Sequence, residues 1–228
     1  MLDLLRESQI LCSLELTART CLISLVLFLL AGPAVGYLLA RRPNTPVRVF
    51  GFLVTMPLVF QPVALGYMLL TVLGRTGPLG AHFADAGFSL IFSEAAVAAA
   101  GFVAGLPLVV RPLQAAFSSF LLLDLEEAAR VHGASEARIF IKITLPLIRP
   151  SLAVGLLMGC ARVSGEVGIT MMLGGNISGK TNTLSIEIFN AVSRADFDVA
   201  NALCVVLSLF AALLFIVMEI ILKKSIKL

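Results

Sequence analysis

Residues 124–150 read DLEEAARVHGASEARIFIKITLPLIRP and form a polar segment between two apolar stretches. Asp124, with a glutamate three residues later, is typical of a capping box and predicts a helix that begins at Leu125. Gly133 is placed to end this helix in a left-handed turn, and Ser135 can cap a second short helix. The segment is therefore predicted to be a compact helix-turn-helix and not a flexible tether.

The chain as a whole is too apolar for a soluble protein of this size. Apolar residues make up 59% of its 228 residues, charged residues make up 14%, and the mean hydropathy is +1.01. A soluble domain carries about 25% charged residues, whereas a membrane span needs about 20 mainly apolar residues. We therefore predict an all-α fold, a polytopic transmembrane helical bundle of about five spans that forms one domain over residues 1–228. The predicted spans are 16–40, 47–73, 88–115, 147–173 and 199–222.

The distribution of basic residues predicts how these spans are oriented. If the C-terminal Lys223, Lys224 and Lys227 are cytoplasmic, the loop 124–150 is cytoplasmic too, and eleven of the seventeen basic residues lie on that side. The positive-inside rule favours this arrangement. We expect a multi-pass protein of the inner membrane with its N-terminus outside and its C-terminus in the cytoplasm. Whether residues 3–16 form a further surface helix stays open, because charged residues interrupt their apolar pattern.

Glycines and prolines indicate how the spans pack and bend. Glycines four residues apart let membrane helices approach closely, and a proline inside a span removes a backbone donor and bends the helix. Bent helices suit a pathway that opens and closes, but they are also common in receptors and enzymes. The glycine pairs are Gly32/Gly36, Gly101/Gly105 and Gly155/Gly159, and the prolines are Pro57, Pro62, Pro107 and Pro112.

The polar loop follows the pattern E-A-A-x3-G-x9-I-x-L-P at every defined position. The residues at those positions are Glu127, Ala128, Ala129, Gly133, Ile143, Leu145 and Pro146. This pattern resembles the EAA signature of ABC importer permeases. The resemblance implies a type I ABC importer permease-like fold, with the loop as an ATPase-coupling site that docks in a cleft of a separate subunit. Small alanines would allow close approach, the glycine a sharp turn, and the glutamate a charged contact.

The same resemblance implies a set of partners. They are a second copy of this chain, two ATP-binding cassette ATPase subunits, a periplasmic oxyanion-binding protein and the lipid bilayer, with no nucleic acid. The chain itself is expected to be a transport subunit and not an enzyme. It is expected to bind no cofactor, because ATP and Mg are used by the partner ATPase.

Three further stretches narrow the family. Residues 73–80 read LGRTGPLG, residues 161–168 read ARVSGEVG, and residues 172–181 read MLGGNISGKT. They resemble the molybdate permease branch, which typically shows L-G-R-x-G-P-L-G, A-R-x-x-G-E-F-G and M-L-x-G-N-I-x-G-x-T. Val167 departs from this pattern, and tungstate permeases often carry valine there. Molybdate is thus the expected cargo, with tungstate or sulfate as the alternative.

Two of these stretches contain the candidate residues of a pathway or gate. Arg162 and Glu166 are four residues apart in a membrane segment, where ionisable groups are costly and either pair or face a polar cavity. Whether they neutralise each other or line a pathway stays open. The glycine-rich stretch that follows is expected to form a turn near the outer mouth, where polar side chains meet an oxyanion or its binding protein. The candidates are Arg162, Ser164, Glu166, Asn176, Ser178, Lys180 and Thr181.

The stretch Gly174–Thr181 also satisfies the phosphate-binding pattern G-x-x-x-x-G-K-[ST]. That pattern binds a nucleotide only between a buried strand and a helix, and here an apolar span precedes it. A membrane enzyme or nucleotide-binding protein is therefore the remote alternative. His82 and His132 are isolated from other ligand residues, and the four cysteines lack metal-binding spacing, so we expect neither a metal site nor a catalytic residue.

Overall fold

A computed structural model describes residues 8–42, 44–85 and 90–226. Within these residues every regular element is a helix, as the composition predicted. A π-helix at Phe140–Thr144 lies between the seventh and eighth α-helices. The α-helices are α1 (Ser8–Arg41), α2 (Thr45–Val59), α3 (Pro62–Leu73), α4 (Gly80–Asp85), α5 (Glu94–Phe117), α6 (Phe120–Val131), α7 (Glu136–Ile139), α8 (Leu145–Ser164), α9 (Gly168–Gly174), α10 (Leu184–Ser193) and α11 (Phe197–Ile226).

Four segments of the described residues are long and apolar enough to cross a membrane. They are Ile10–Arg41, Glu94–Phe117, Glu136–Ser164 and Phe197–Val217. The predicted span 47–73 is instead two helices, because Phe60 and Gln61 leave helical geometry before Pro62 starts α3.

The prediction of one continuous span over residues 147–173 is wrong. Helix α8 ends at Ser164 with Gly165 as its C-cap, and α9 begins anew at Gly168. At the N-terminus α1 begins at Ser8 and continues into the first predicted span as one helix. The earlier part of the possible surface helix, residues 3–7, lies outside the described residues.

The glycine pairs lie where α1, α5 and α8 pack against one another. A Cβ atom added at Gly32 would lie 2.7 Å from Val109 Cγ1, and one at Gly159 would lie 2.8 Å from Val109 Cγ2. A Cβ atom at Gly105 would lie 2.5 Å from Phe28 Cζ. Phe28 and Val109 are fully buried in the largest core cluster. Hydrogen atoms in place of side chains therefore set the distance between these helices.

The two interrupted spans meet at their breaks. A Cβ atom added at Gly168, the first residue of α9, would lie 2.8 Å from Cβ of Pro62, the first residue of α3. One at Gly66 would lie 2.9 Å from Cβ of Met172. Short half-helices α3 and α9 thus pack side by side, and each ends an interrupted crossing. Interrupted helices at membrane depth are tolerated where they are buried in protein or line a cavity.

Candidate functional site

Helix α6 and the turn that follows it form the projecting half of the 124–150 loop. The helix begins at Phe120, because Ser119 accepts a hydrogen bond from the Leu122 amide at 3.4 Å. The prediction that Asp124 caps a helix starting at Leu125 is therefore wrong. Gly133 does adopt the predicted left-handed conformation, with φ of 77°. Ser135 occupies the N-cap position of α7 without a side-chain capping bond.

A buried carboxylate holds this loop to the membrane helices. The Glu126 side chain is only 5% exposed, and its Oε2 lies 2.7 Å from Arg41 Nη2 at the end of α1. The Thr144 hydroxyl, in the π-helix that leads into α8, donates to Glu126 Oε1 at 2.6 Å. We call Glu126, Arg41 and Thr144 the anchor cluster. It links α6 to the ends of two separate spans.

An exposed ion pair closes the turn between α6 and α7. Arg130 Nε donates to Glu136 Oε1 at 2.7 Å, and Arg130 Nη2 also lies 3.7 Å from Glu126 Oε2. The hydrogen bond to Glu136 raises the pKa of Arg130 above its ordinary value. Arg130 therefore stays charged at any physiological pH and connects the turn to the anchor cluster. As an exposed pair it contributes little to the free energy of unfolding.

The free surface of α6 carries large apolar side chains, with exposed Asp124, Glu127 and Arg130 beside them. Its exposed large side chains are Phe120, Leu121, Leu125 and Val131, and exposed Glu127 and Ala128 lie among them. No described part of the chain covers these side chains. Exposed apolar patches next to polar residues are typical of interaction sites, which makes this face of α6 a candidate contact surface.

The seven motif residues divide between this surface and the core. Glu127, Ala128, Gly133 and Pro146 are exposed, and Ala129 is half-buried. Ile143 and Leu145 are also half-buried and pack against the largest core cluster. The motif thus combines a contact surface with residues that seat the end of the loop in the bundle.

The sequence did not identify the members of the anchor cluster. Glu126 precedes the motif by one residue, and its burial follows from Leu122 and Glu126 sharing the inner face of α6. The available signal was this spacing of four residues, which places Glu126 on the same face as a core leucine. Arg41 is 85 residues away along the chain, and no local pattern connects it to Glu126.

The candidate residues at the end of α8 and just after it are mostly buried. Arg162 Nη2 lies 2.6 Å from Glu166 Oε2, at an angle outside hydrogen-bond geometry, and Glu166 Oε1 accepts from the Ile169 amide at 2.8 Å. Glu166 therefore caps the start of α9 as well as pairing with Arg162. Ser164 is buried and donates to the carbonyl of Ala161. Only Arg162, at 30% exposure, is partly accessible from outside the protein.

The polar residues in the turn after α9 differ in their exposure and in their hydrogen-bond partners. Asn176 exchanges two hydrogen bonds, of 3.0 and 2.9 Å, with the side chain of Asn190. Asn176 and Ser178 share the lining of an open cavity of about 310 Å³. Thr181 is fully buried, and its hydroxyl accepts from the amide of Ile177. Thr181 thus shapes the turn and presents no group to the surface.

Lys180 lines a separate open cavity of about 520 Å³, together with Arg75, Phe92 and Ser93. Phe92 has a φ of 58°, and a Cβ atom added at Gly175 would lie 2.4 Å from its ring. The absence of a side chain at Gly175 therefore lets the Phe92 ring pack against the turn. The cavity combines two basic side chains, a composition that favours an anion.

The phosphate-binding pattern at Gly174–Thr181 lacks its structural context. Helix α9 precedes it, and the described part of the chain contains no strand. Nucleotide binding through such a pattern needs a strand, the loop and a helix that begins directly behind the phosphates. The next helix, α10, begins only at Leu184.

Two solved structures share the fold of this chain. The chain matches a crystal structure of a bacterial alginate ABC transporter in complex with an alginate pentasaccharide-bound periplasmic protein, with a TM-score of 0.74 and 18% identity. The match covers 99% of this chain and 82% of the other. A bacterial ABC transporter that imports the acidic polysaccharide alginate matches with a TM-score of 0.70 and 20% identity, over 98% and 82% of the two chains. The fold is thus that of an ABC importer permease.

Residues 32–226 match the family model of the binding-protein-dependent transport system inner membrane component, and the chain belongs to this family. It is 34% identical to the molybdenum transport system permease protein ModB of Azotobacter vinelandii, over 89% of this chain and 90% of that protein. For ModB of Escherichia coli the identity is 32%, over 90% and 88%. The sulfate transport system permease protein CysW of Synechocystis is 33% identical, over 93% and 77%. The predicted resemblance is confirmed.

Proposed function

We propose that this chain is the membrane-spanning permease subunit of an ABC importer that carries molybdate across the inner membrane. The observation that carries this proposal is the construction of α6, which has an exposed apolar outer face and a buried ionic inner face. Displacement of a rigid element anchored at Arg41 and Thr144 moves the ends of α1 and α8 with it. A loosely attached loop would absorb the same displacement.

In this proposal the chain acts with partners and has no catalytic chemistry of its own. Two copies enclose the pathway, and an ATP-binding cassette ATPase docks on the α6 face of each copy. ATP and Mg are bound and used by those ATPase subunits. A periplasmic protein delivers the anion, a type of partner that is named for one of the solved alginate transporters.

The cargo assignment rests on the relatives and on the three matching stretches of sequence. Two molybdenum permeases match at 34% and 32% identity over nearly their full lengths. The sulfate permease matches at a similar identity of 33%, so the preference for molybdate comes from the three stretches of sequence. Sulfate is therefore the second candidate cargo, and tungstate is a third because of Val167.

The pathway is proposed to run past the interrupted crossings. Lys180, Asn176 and Ser178 lie at its outer mouth, where exposed polar groups can meet an oxyanion. Arg162 lies deeper, beside the break between α8 and α9, and is the candidate cation of the gate. Ser164, Glu166 and Thr181 act on the pathway indirectly, because they are buried and fix the local backbone.

Uptake by the reconstituted complex tests the function. The chain is assembled with the ATPase and the binding protein of its own genome in liposomes, and ATP-dependent accumulation of radiolabelled molybdate is measured. We expect saturable uptake that tungstate inhibits and that excess sulfate leaves unchanged. Preferential uptake of sulfate would assign the second cargo. An assembled complex that hydrolyses ATP but accumulates none of the three anions would refute the proposal.

A further inference from the structure

An open cavity of about 400 Å³, with a lining that is half polar and half apolar, lies on the side of the bundle that carries the 124–150 loop. Its lining includes Leu39 of α1, Arg48 and Thr55 of α2, and Arg111 and Gln114 of α5. Leu39 lies on the last turn of α1, and Gln114 lies on the last turn of α5, directly before α6. The cavity therefore adjoins the anchor cluster and lies far from the turn that follows α9.

Within residues 8–42, 44–85 and 90–226, no ion pair joins the basic side chains of this cavity to a carboxylate. Among the described residues the ion pairs within 4.0 Å involve other arginines, and neither Arg48 nor Arg111 has a carboxylate partner. Arg111 Nη1 donates to Gln114 Oε1 at 3.4 Å, which leaves the amide Nε2 of Gln114 as a further donor. The Thr55 hydroxyl donates to its own helix backbone and supplies no donor to the cavity.

We propose that this cavity binds one tetrahedral oxyanion group. Arg48 and Arg111 supply the charge and two planar sets of N–H donors, and Gln114 supplies a neutral donor between two helices. Guanidinium groups bind oxyanions through paired, charge-assisted hydrogen bonds. An unneutralised pair of cations in a cavity that no acidic residue lines is suited to a divalent anion.

Two sources present this chemistry on the loop side of the membrane. One is the transported oxyanion as it leaves the pathway, and this source rests on the proposed function. The other is the phosphate of an anionic lipid, which basic pockets between membrane helices bind on the cytoplasmic side. In either case the bound anion would join α2 to α5 beside Arg41, and so beside the anchor cluster.

The test compares a double variant, R48Q/R111Q, with Arg42→Gln. Arg42 is exposed, follows α1 directly and does not line the cavity, so its replacement removes a nearby charge from outside the site. Each protein is assembled with the partner ATPase in nanodiscs. Binding of radiolabelled molybdate is measured in neutral phosphatidylcholine nanodiscs, and retained phosphatidylglycerol is measured by native mass spectrometry in mixed nanodiscs.

We expect about a tenfold or larger loss of one of these two ligands in the double variant relative to the control, since each guanidinium contributes charge-assisted hydrogen bonds. Loss of molybdate binding identifies the cargo as the ligand, and loss of lipid alone identifies the headgroup phosphate. Equal molybdate affinity and equal lipid retention in the two proteins would overturn the site. The single variants R48Q and R111Q, each with a smaller expected loss, replace the double variant if it assembles poorly.

ATP-driven uptake on the same preparations separates this inference from the proposed function. If the wild-type complex takes up none of the candidate anions while the double variant loses lipid, the function is wrong and the site stands. If uptake is normal while neither ligand responds to the double variant, the site is wrong and the function stands.

Discussion

Glu126 and Glu127 are neighbours in the sequence and have opposite environments. Glu126 is buried against Arg41 and Thr144, whereas Glu127 is exposed among the apolar residues of the α6 face. A buried charge depends on its partner, and removal of that partner leaves an uncompensated charge in a poorly solvated place. Replacing Glu126 therefore tests the stability of the loop, whereas replacing Glu127 tests its contact with another protein.

Replacement of Glu126 by alanine is expected to destabilise the protein by about 3 kcal/mol, because Arg41 loses its buried partner. Glu127→Ala is the matched control, since it removes the same side chain from the next position of the same helix. We expect Glu127→Ala to leave the apparent Tm in detergent unchanged and to lower ATP-driven uptake through weaker ATPase contact. Equal Tm values for both variants would show that the anchor cluster does not hold the loop.

The pair Arg162 and Glu166 offers a second test at this scale. Arg162→Ala is expected to cost about 2 kcal/mol, less than a fully buried pair because Arg162 is partly exposed, and it leaves Glu166 charged and buried. Adding Glu166→Gln should restore stability, since the amide oxygen can still accept from the Ile169 amide. If Arg162 lines the pathway, the double variant R162A/E166Q stays folded but transports poorly. Recovery of uptake together with Tm would limit Arg162 to neutralising Glu166.

The sequence identified the exposed half of the loop but not its buried half. Gly133 was predictable because a left-handed turn favours glycine whatever its surroundings. Glu126 and Arg41 were not, because their contact joins positions 85 residues apart and depends on how α1 and α6 pack. Thr181 is a similar case. A polar residue in a glycine-rich turn is expected to be exposed, but the Thr181 hydroxyl is buried and accepts a hydrogen bond from the Ile177 amide inside the turn.

At the scale of the elements, helix contacts through glycine determine how closely α1, α5 and α8 approach. A Cβ atom added at Gly155 would lie 3.0 Å from Cα and 3.1 Å from the carbonyl oxygen of Val109. Backbone atoms cannot move aside as a side chain can, so this contact tolerates little added volume. Predicting such contacts from spaced glycines succeeds because the spacing places both glycines of a pair on one helix face.

Gly155→Leu is therefore expected to destabilise the bundle by about 1–3 kcal/mol through overpacking. Gly165→Ala is the control, because a Cβ atom there would meet only the Ala161 carbonyl oxygen at an ordinary 3.7 Å. Thermal unfolding of both variants in the same detergent measures the difference. A Gly155→Leu protein as stable as Gly165→Ala would mean that α5 and α8 separate easily at this point.

The interrupted crossings were the part of the fold that hydropathy could not resolve. An apolar stretch such as 47–73 is interpreted as one span, because hydropathy is averaged over a window of residues. Such an average does not register two residues, Phe60 and Gln61, that leave helical geometry. Pro62 was recognised as a bend, but whether a proline bends or ends a helix depends on what packs behind it. Here the half-helix α9 lies behind α3, with Gly168 against Pro62.

At the scale of the whole molecule, α1 connects the two ends of the bundle. Near its start, Cys12 Sγ donates to the Gly179 carbonyl oxygen at 3.3 Å. At its end, Arg41 pairs with Glu126. With a rise of about 1.5 Å per residue, the residues between Cys12 and Arg41 exceed the roughly 30 Å thickness of the bilayer core. The 124–150 loop and the turn after α9 therefore lie at opposite ends of a helix that is long enough to cross the bilayer.

Cysteine labelling in the full-length chain tests which side is which. In a background with the four native cysteines changed to serine, Ser178→Cys and His132→Cys each replace an exposed residue on one of the two loops. The positive-inside rule places the 124–150 loop in the cytoplasm. We therefore expect a membrane-impermeant maleimide to label S178C in intact spheroplasts and to label H132C only after permeabilisation. The reverse pattern would invert the orientation and place the 124–150 loop on the side of the membrane that lacks ATP, against the proposed docking of an ATPase there. Labelling of both from outside would contradict the crossing by α8 itself, since α8 separates the two positions.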